Sequence, residues 1–500
     1  MSGLTPYVIF VSFAAVLGAF QYGYHIGELN TPQSVMSCQG KGATIPEISN
    51  PDVYEYLPPC IKMNSAQFGF VTSVFTLGGL VGSLFASRVA DSQGRRKTLI
   101  LNSVFLGLGP LVMGFATNIT ALVIGRALAG IGSGVVTVVV PAYLAEISTL
   151  EFRGTFGVMN QLGIVCGILF SQVEGLYLST IQGWRLILLS GFLVSIVQTI
   201  FLLFSVESPR FLASKPGGYN AAKRALQKLR GSIEVEEELN GWRQVASEEG
   251  LEGLISEEER EQPLENNDEE IMRESPAVVF HARNPDENFN FWKLISNHYY
   301  LPALKALILV QFTQQFSGIN AVMFYSTSIL SKIFPDMSDL ITVFISTVNV
   351  FMTVVSAYLI DKSGRRTLLL YSSGLMCFSS AILALSLNNN YGLLSAISII
   401  GFVSAFAIGL GPIPFLIIPE IFDTKATATA ASLGLTLNWS ASFLVAFLFP
   451  IVNEIIEGNI FFIFALYLLI AFIAIKRLVP ETKAKTVEEV WRGWTGKFID

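Results

Sequence analysis

Three ionisable side chains stand inside stretches that are otherwise apolar. His25 and Glu28 lie one helical turn apart in "QYGYHIGELN", and Arg126 sits near the start of a later apolar run. Charge at such depth is costly, so these groups are expected either to pair or to work. An imidazole titrating at about pH 6.5 would also change charge between an acidic compartment and the cytosol. A second set is neutral: Gln161, Gln314, Gln315, Asn320, Asn349 and Asn438 are carboxamides in apolar surroundings. Each offers two donors and a two-lone-pair acceptor without burying charge, which suits a helix neighbour or a neutral ligand. A third set is charged and lies between apolar runs: Asp91, Arg95, Arg96, Glu146, Arg153, Asp361, Arg365, Arg366 and Glu420. With three histidines and no nucleophile–base or metal-ligand cluster, the chain does not read as an enzyme.

The elements that must position these residues are membrane helices. The chain is 52% hydrophobic and 14% charged, against about 25% charged for a soluble domain. Stretches long enough for a bilayer recur near 6–26, 66–89, 98–116, 121–144, 155–178, 184–205, 301–330, 338–360, 367–387, 391–418, 430–453 and 458–478. The first lacks a basic n-region and a small-residue cleavage site, so it reads as a retained span.

Net charge is −6, yet residues 231–290 hold 18 of the 38 acids and 4 of the 32 bases, leaving the remainder at +8. Outside 206–305, loops on the N-terminal side carry fifteen Lys or Arg and the opposite side five. That asymmetry predicts that both termini and the long middle segment are cytosolic.

The stretches form two sets of six around a polar segment. "ADSQGRRKTLI" at 90–100 returns as "IDKSGRRTLLL" at 360–370, and Glu146 in "PAYLAEI" returns as Glu420 in "IPEIF". The expectation is an all-α membrane protein of twelve helices in two pseudo-symmetric bundles, 1–205 and 301–478. Between them lies a cytosolic linker, 206–300, and after them a tail, 479–500. A ligand site is expected where the halves meet at mid-membrane. "YNAAKRALQKLRG" predicts an amphipathic helix in the linker, and the acidic part after it a solvated loop. Pairs at Gly78/Gly82, Gly130/Gly134 and Gly163/Gly167 have the small-xxx-small spacing of close helix packing.

From Phe20 to Glu489 the sequence resembles the sugar porters of the major facilitator superfamily, most of all the facilitative glucose transporter branch. The resemblance rests on "GRR" twice, "PAYLAEISTLEFRG", "NQLGIVCGIL", "VESPRFL", "QQFSGINAVMFYST", "GLGPIPF", "NWSASFLVAFLFP" and "PETKAKTVEE". It implies the major facilitator fold and alternating-access transport of a monosaccharide such as glucose or fructose, with no cofactor. Implied partners are a small neutral sugar and the lipid bilayer, with no nucleic acid, the chain working as a monomer.

The resemblance points to Gln161, Gln314, Gln315, Asn320 and Asn349 as sugar ligands. Asn438 adds a further amide, and Phe316, Phe406, Phe415 and Trp439 offer rings for the apolar face of a sugar, Phe415 being preferred. Gln314 and Gln315 are not expected to share a helix face, whereas Gln314 with Asn320, or Gln311 with Gln315, lines a helix broken at Gly318. Asp91, Arg95 and Arg96, with Asp361, Arg365 and Arg366, are expected to pair with Glu146, Arg153 and Glu420 as a cytosolic gate; surface charge that sets topology is the plainer reading.

Three departures stand out. Ala407, Leu410 and Phe415 replace the acid, Pro-Gly and Trp that usually surround "GPIP". Thr427 stands where an Arg would follow Glu420, with Lys425 nearby. "QFT" at 311–313 replaces the "QLS" of glucose-selective members. These weaken an assignment to glucose and suggest a looser C-terminal gate. Proton-coupled members carry Asp where His25 stands, and facilitators Asn. The Asp is usually paired with the arginine at the position of Arg126. His25 therefore favours facilitated diffusion; a proton-coupled sugar or inositol symporter using His25 and Glu28, and a non-transporting sugar sensor, are the alternatives.

Cys38 and Cys60 share the one long non-cytosolic loop, where a disulfide would persist; Cys166 and Cys377 read as packing thiols. "NIT" at 118–120 lies close to the membrane for a glycan site. The "GYHxxELNxPQ" pattern resembles fungal glucose-transporter-like members, which leaves plasma and vacuolar membrane both open.

Overall fold

The computed structural model describes residues 4–39, 57–149, 152–215, 217–236, 238–239 and 291–495. The acidic segment of the linker lies outside them.

Twelve crossings are present among the described residues. The first six are Pro6–Gly27, Ser65–Gln93, Arg95–Gly114, Ile119–Ile147, Arg153–Leu178 and Trp184–Phe204. The seventh consists of two helices, Leu301–Phe316 and Ile319–Ser331. Ser338–Lys362 and Arg365–Asn388 follow, then Gly392–Ile408 with a short continuation Ile413–Leu416, then Thr424–Ile456 and Ile460–Leu478. The seventh breaks at Gly318, whose φ of 90° is open to a residue without Cβ. A Cβ there would also stand 2.6 Å from the Phe464 ring. Mean hydropathy predicts the eleventh span over 430–453, but Asp423 starts the helix earlier by accepting from Ala426 N at 2.8 Å.

Packing repeats between halves. The third span lies on the fourth and sixth, as the ninth lies on the tenth and twelfth. Across the middle, the second packs on the eleventh and the eighth on the fifth. That exchange is what a pseudo-two-fold axis between two six-helix bundles requires. Glycine sets the closest approaches: a Cβ on Gly82 would meet Ile131 O at 2.1 Å, and one on Gly167 would meet Phe20 O at 1.9 Å. Large apolar side chains such as Phe85, Leu193, Phe351 and Leu466 face outward, as a bilayer demands.

The amphipathic linker helix is Tyr219–Arg230, ended by Gly231 at φ 63°. It docks under the N-terminal half: Arg230 donates to Ile147 O at 2.9 Å, and Thr5 Oγ1 to Leu229 O at 2.7 Å. After Leu478 the tail returns to the C-terminal half. Trp491 stacks on Tyr299 with centroids 4.2 Å apart and donates to Ile421 O at 3.1 Å. Tyr300 donates to Asp423 Oδ2 at 2.6 Å; burial first, then that carboxylate, push its phenol upward and keep it a donor. The membrane face bearing linker and tail is the linker face. The opposite one, where Cys38 and Cys60 form a disulfide with Cα atoms 5.4 Å apart, is the disulfide face.

Candidate functional site

The break in the seventh span turns several amides toward the eleventh. Asn438 is the hub: its Nδ2 donates to Gln311 Oε1 at 2.9 Å and to Gln314 Oε1 at 2.5 Å, and its Oδ1 accepts from Gln315 Nε2 at 2.9 Å. Asn320, past the break, donates to Gln315 Oε1 at 2.6 Å and to Ser442 Oγ at 2.7 Å. Gln311 Nε2 reaches Pro414 O at 2.9 Å; Gln314 Nε2 reaches Leu410 O at 2.8 Å and Gly411 O at 2.9 Å. These carbonyls lie where the tenth helix stops and restarts, so two interrupted helices face each other through amides.

Gln314 and Gln315 thus converge on one residue although they leave the helix about 100° apart. Their reach closes that angle, and Asn438 presents its donor to one and its acceptor to the other. Gln311 and Ser442 belong to the cluster as well. Gln311 shares the broken helix with Gln314, a signal the sequence carries, whereas the pairing of Ser442 with Asn320 depends on how two distant helices meet.

Asn349 is buried on the eighth span, and Gln161 half-buried on the fifth. No hydrogen bond joins either to the cluster among the described residues. Trp439 is buried against Tyr22 and Phe75, with centroids 5.7 and 6.3 Å away, and its Nε1 lacks a partner. Phe415 is 40% exposed.

The buried charges form one group. Arg126 Nη1 donates to Glu28 Oε1 at 2.8 Å and to His25 O at 2.7 Å; Nη2 donates to Thr72 O at 3.3 Å. His25 Nδ1 lies 3.0 Å from Glu28 Oε2, and the Phe75 ring covers the guanidinium at 4.5 Å. None of the three side chains has exposed surface. His25 Nε2 is left without a partner.

The linker-face charges pair within each half, and the two halves match. Arg95 Nε donates to Glu146 Oε1 at 3.0 Å and Nη1 to Ala90 O at 3.1 Å; Arg365 repeats this with Glu420 at 2.9 Å and Ile360 O at 3.0 Å. Asp91 lies 3.4 Å from Arg95. Arg96 and Arg366, expected to meet carboxylates, reach backbone carbonyls instead. Arg96 Nε donates to Leu202 O at 2.7 Å, and Arg366 Nη2 to Lys476 O at 2.5 Å. Both acceptors lie in the last turns of the sixth and twelfth helices, where carbonyls have lone pairs left for such donors. The side chains of Arg153 and Asp361 lie outside the described residues.

Two glutamates quoted in motifs without a role turn out to belong here. Glu207 accepts the backbone N–H of Arg96 at 2.9 Å and of Lys97 at 3.3 Å. Glu481 accepts from Thr367 N at 3.4 Å, and its neighbour Thr482 donates to Glu420 Oε2 at 2.5 Å. Each carboxylate caps the helix following "GRR", where the helix dipole favours negative charge. On the disulfide face, Asn118 of "NIT" caps the fourth span by accepting from Ala121 N at 2.9 Å.

The family model for sugar (and other) transporters matches residues 11–494. A probable metabolite transport protein of Saccharomyces cerevisiae is 34% identical over 98% of this chain and 96% of its own. The facilitated glucose transporter member 3 of Ovis aries is 33% identical over 99% and 93%. Among solved structures, the inward-open xylose transporter XylE of E. coli superposes with a TM-score of 0.73 at 20% identity, covering 97% of this chain and 99% of that one. Sequence and fold together establish that the chain belongs to the sugar (and other) transporter family of the major facilitator fold.

Proposed function

We propose that this protein carries a monosaccharide across its membrane by alternating access, as a facilitator and not a proton-driven pump. The observation that carries this is the uncharged amide cluster centred on Asn438, between two broken helices. A hexose presents hydroxyls that both donate and accept, and carboxamides that now satisfy one another exchange those bonds for bonds to sugar at small net cost. Gln314, Gln315, Asn320 and Asn438 bind the hydroxyls. Gln161 and Asn349, on the spans that cross between the halves, complete the site, and Trp439 or Phe415 covers the ring. The relatives named as facilitated glucose transporters support a hexose.

The pairs Arg95–Glu146 and Arg365–Glu420, with Asp91, Asp361 and Arg153, steady the linker face of each half while the halves rock. That face is cytosolic in this reading, with bundles at 1–205 and 301–478, a linker at 206–300 and a tail from 479. The chain acts as a monomer in the plasma or vacuolar membrane. A relative named as a vacuolar protein sorting-associated protein, 31% identical over 96% of this chain, supports the second location.

Counterflow of labelled hexoses in proteoliposomes at equal pH tests the proposal. Exchange of a hexose is expected; absence of exchange with every monosaccharide and polyol tried rejects it in favour of a sensor. A second reading, proton symport, draws on the unpartnered Nε2 of His25 beside Glu28. Uphill, ionophore-sensitive uptake would establish it.

A further inference from the structure

The two halves match closely where their last spans reach the linker face, and one place breaks the match. Aligned on the capping carboxylates Glu207 and Glu481, the sixth and twelfth spans set Lys476 on Leu202 and Arg477 on Leu203. Arg96 and Arg366 donate to the carbonyls of Leu202 and Lys476, so the backbone geometry repeats while the side chains differ. Two leucines in one half are two cations in the other. These cations line a pocket. Arg366, Phe472, Ile473, Lys476 and Arg477 surround about 490 Å³ where the ninth and twelfth spans meet. Phe472 leans there on Gly374 of the ninth span, whose Cβ would stand 3.5 Å from the ring.

The charge in this pocket is uncompensated. Arg366 commits Nη2 to Lys476 O, but its Nε is buried and without a partner. The side chains of Lys476 and Arg477 are exposed and enter no hydrogen bond or ion pair among the described residues. Glu481, the acid that follows them, already accepts the backbone N–H groups of Thr367, Thr482 and Lys483. Topology alone asks for positive charge near this face, not for three cations around one cavity. The surroundings narrow the ligand further. Toward mid-membrane the twelfth span turns Leu466 and Ile470 outward, and the ninth Leu375 and Phe378. A phospholipid sets its phosphate at the level of the helix ends and its acyl chains against such a wall, which a soluble anion does not need.

We infer that this pocket holds the phosphate of an anionic phospholipid whose chains lie along the ninth and twelfth spans. The free Nε of Arg366 donates to one phosphate oxygen, and Lys476 and Arg477 neutralise the remaining charge. A zwitterionic lipid fits less well, because its own cation finds no free carboxylate here. The bound lipid ties the end of the twelfth span to the arginine beside Arg365, and so steadies the Arg365–Glu420 pair. The N-terminal half, with leucines at both positions, has no such site. The inference stands apart from the transport reading, since it holds whatever solute is carried.

The test is native mass spectrometry of the full chain from micelles titrated with phosphatidylglycerol or phosphatidylcholine. The wild type is expected to retain phosphatidylglycerol in preference. Lys476→Gln with Arg477→Gln should lower that affinity by about fivefold for each cation removed. Both side chains are exposed, so this variant should fold, and circular dichroism checks that it does. Lys97→Gln with Lys228→Gln removes the same charge from exposed positions outside the pocket and should bind the lipid as the wild type does. Equal loss in the two double variants would show a diffuse attraction to the whole face and overturn the site. Unchanged affinity in Lys476→Gln with Arg477→Gln overturns it as well. Displacement of the lipid by millimolar glycerol phosphate would overturn the lipid assignment in favour of a soluble anion, whereas retention in its presence supports it.

Discussion

The indole of Trp439 lies against Gly79 so closely that a Cβ on that glycine would stand 2.6 Å from two ring carbons and 2.7 Å from a third. The two residues belong to opposite halves, on the second and eleventh spans, and Trp439 is one position from the amide hub at Asn438. Gly79→Val is expected to force the ring aside and to cut counterflow at least tenfold, since overpacking of this kind costs about 1–3 kcal/mol. Gly79→Ala should be milder. Size-exclusion profiles and circular dichroism matching the wild type would show that the loss is local.

Asn438→Ala withdraws partners from Gln311, Gln314 and Gln315 together. A buried amide left unpaired costs about 1–3 kcal/mol, so kcat/KM for the sugar should fall about tenfold or more. Gln311→Leu should also weaken transport, through the freed Asn438 amide. Counterflow as a function of sugar concentration separates these effects, and an unaltered KM in Asn438→Ala would remove that residue from the site.

His25→Asn puts a side chain that cannot titrate at the end of the first span and abolishes any charge change there. For a facilitator, uptake under an imposed pH gradient should match uptake without one, both before and after the substitution. Uphill uptake in the wild type that disappears in His25→Asn would reverse the assignment to symport.

Glu207 and Glu481 cap matching helices, so their neutral variants should behave alike. Glu207→Gln and Glu481→Gln are each expected to lower stability by about 1 kcal/mol through weaker capping and a lost dipole interaction. Thermal melts in detergent measure this, and a variant that melts with the wild type would show the cap to be idle.

The Cys38–Cys60 bridge closes a separation of 22 residues. Chain entropy for a loop of that size corresponds to about 3 kcal/mol. Reduction, or Cys38→Ser with Cys60→Ser, should therefore lower the melting temperature measurably. The effect should concentrate on the disulfide face, where Ile61 N bonds Met36 O beside the bridge.

Most of the architecture is legible along the chain because membranes impose a local rule: each crossing must be an apolar helix of bilayer length. The repeated GRR motifs pair the halves for a similar reason, since each marks the start of a capped helix. Gly318 is legible as a break because few residues other than glycine tolerate its backbone. Arg96 and Arg366 are harder to read. Their types suggest carboxylate partners, but the nearest needy acceptors are carbonyls at the ends of helices more than a hundred residues away. Gln314 and Gln315 mislead likewise, because helical phase fixes where a side chain leaves the backbone and not where its far end arrives.

The sequence by itself determined the membrane class, the twelvefold count, the internal repeat and the amides available for a neutral ligand. Each follows from composition, spacing or short-range backbone preference. Only the tertiary structure decided that Asn438 gathers three glutamines, that Glu28 closes on Arg126, and that Asn30 reaches into the opposite half. These are distance relations between helices remote in the chain. They depend on crossing points set by glycines and bulky rings, which no single stretch of sequence encodes.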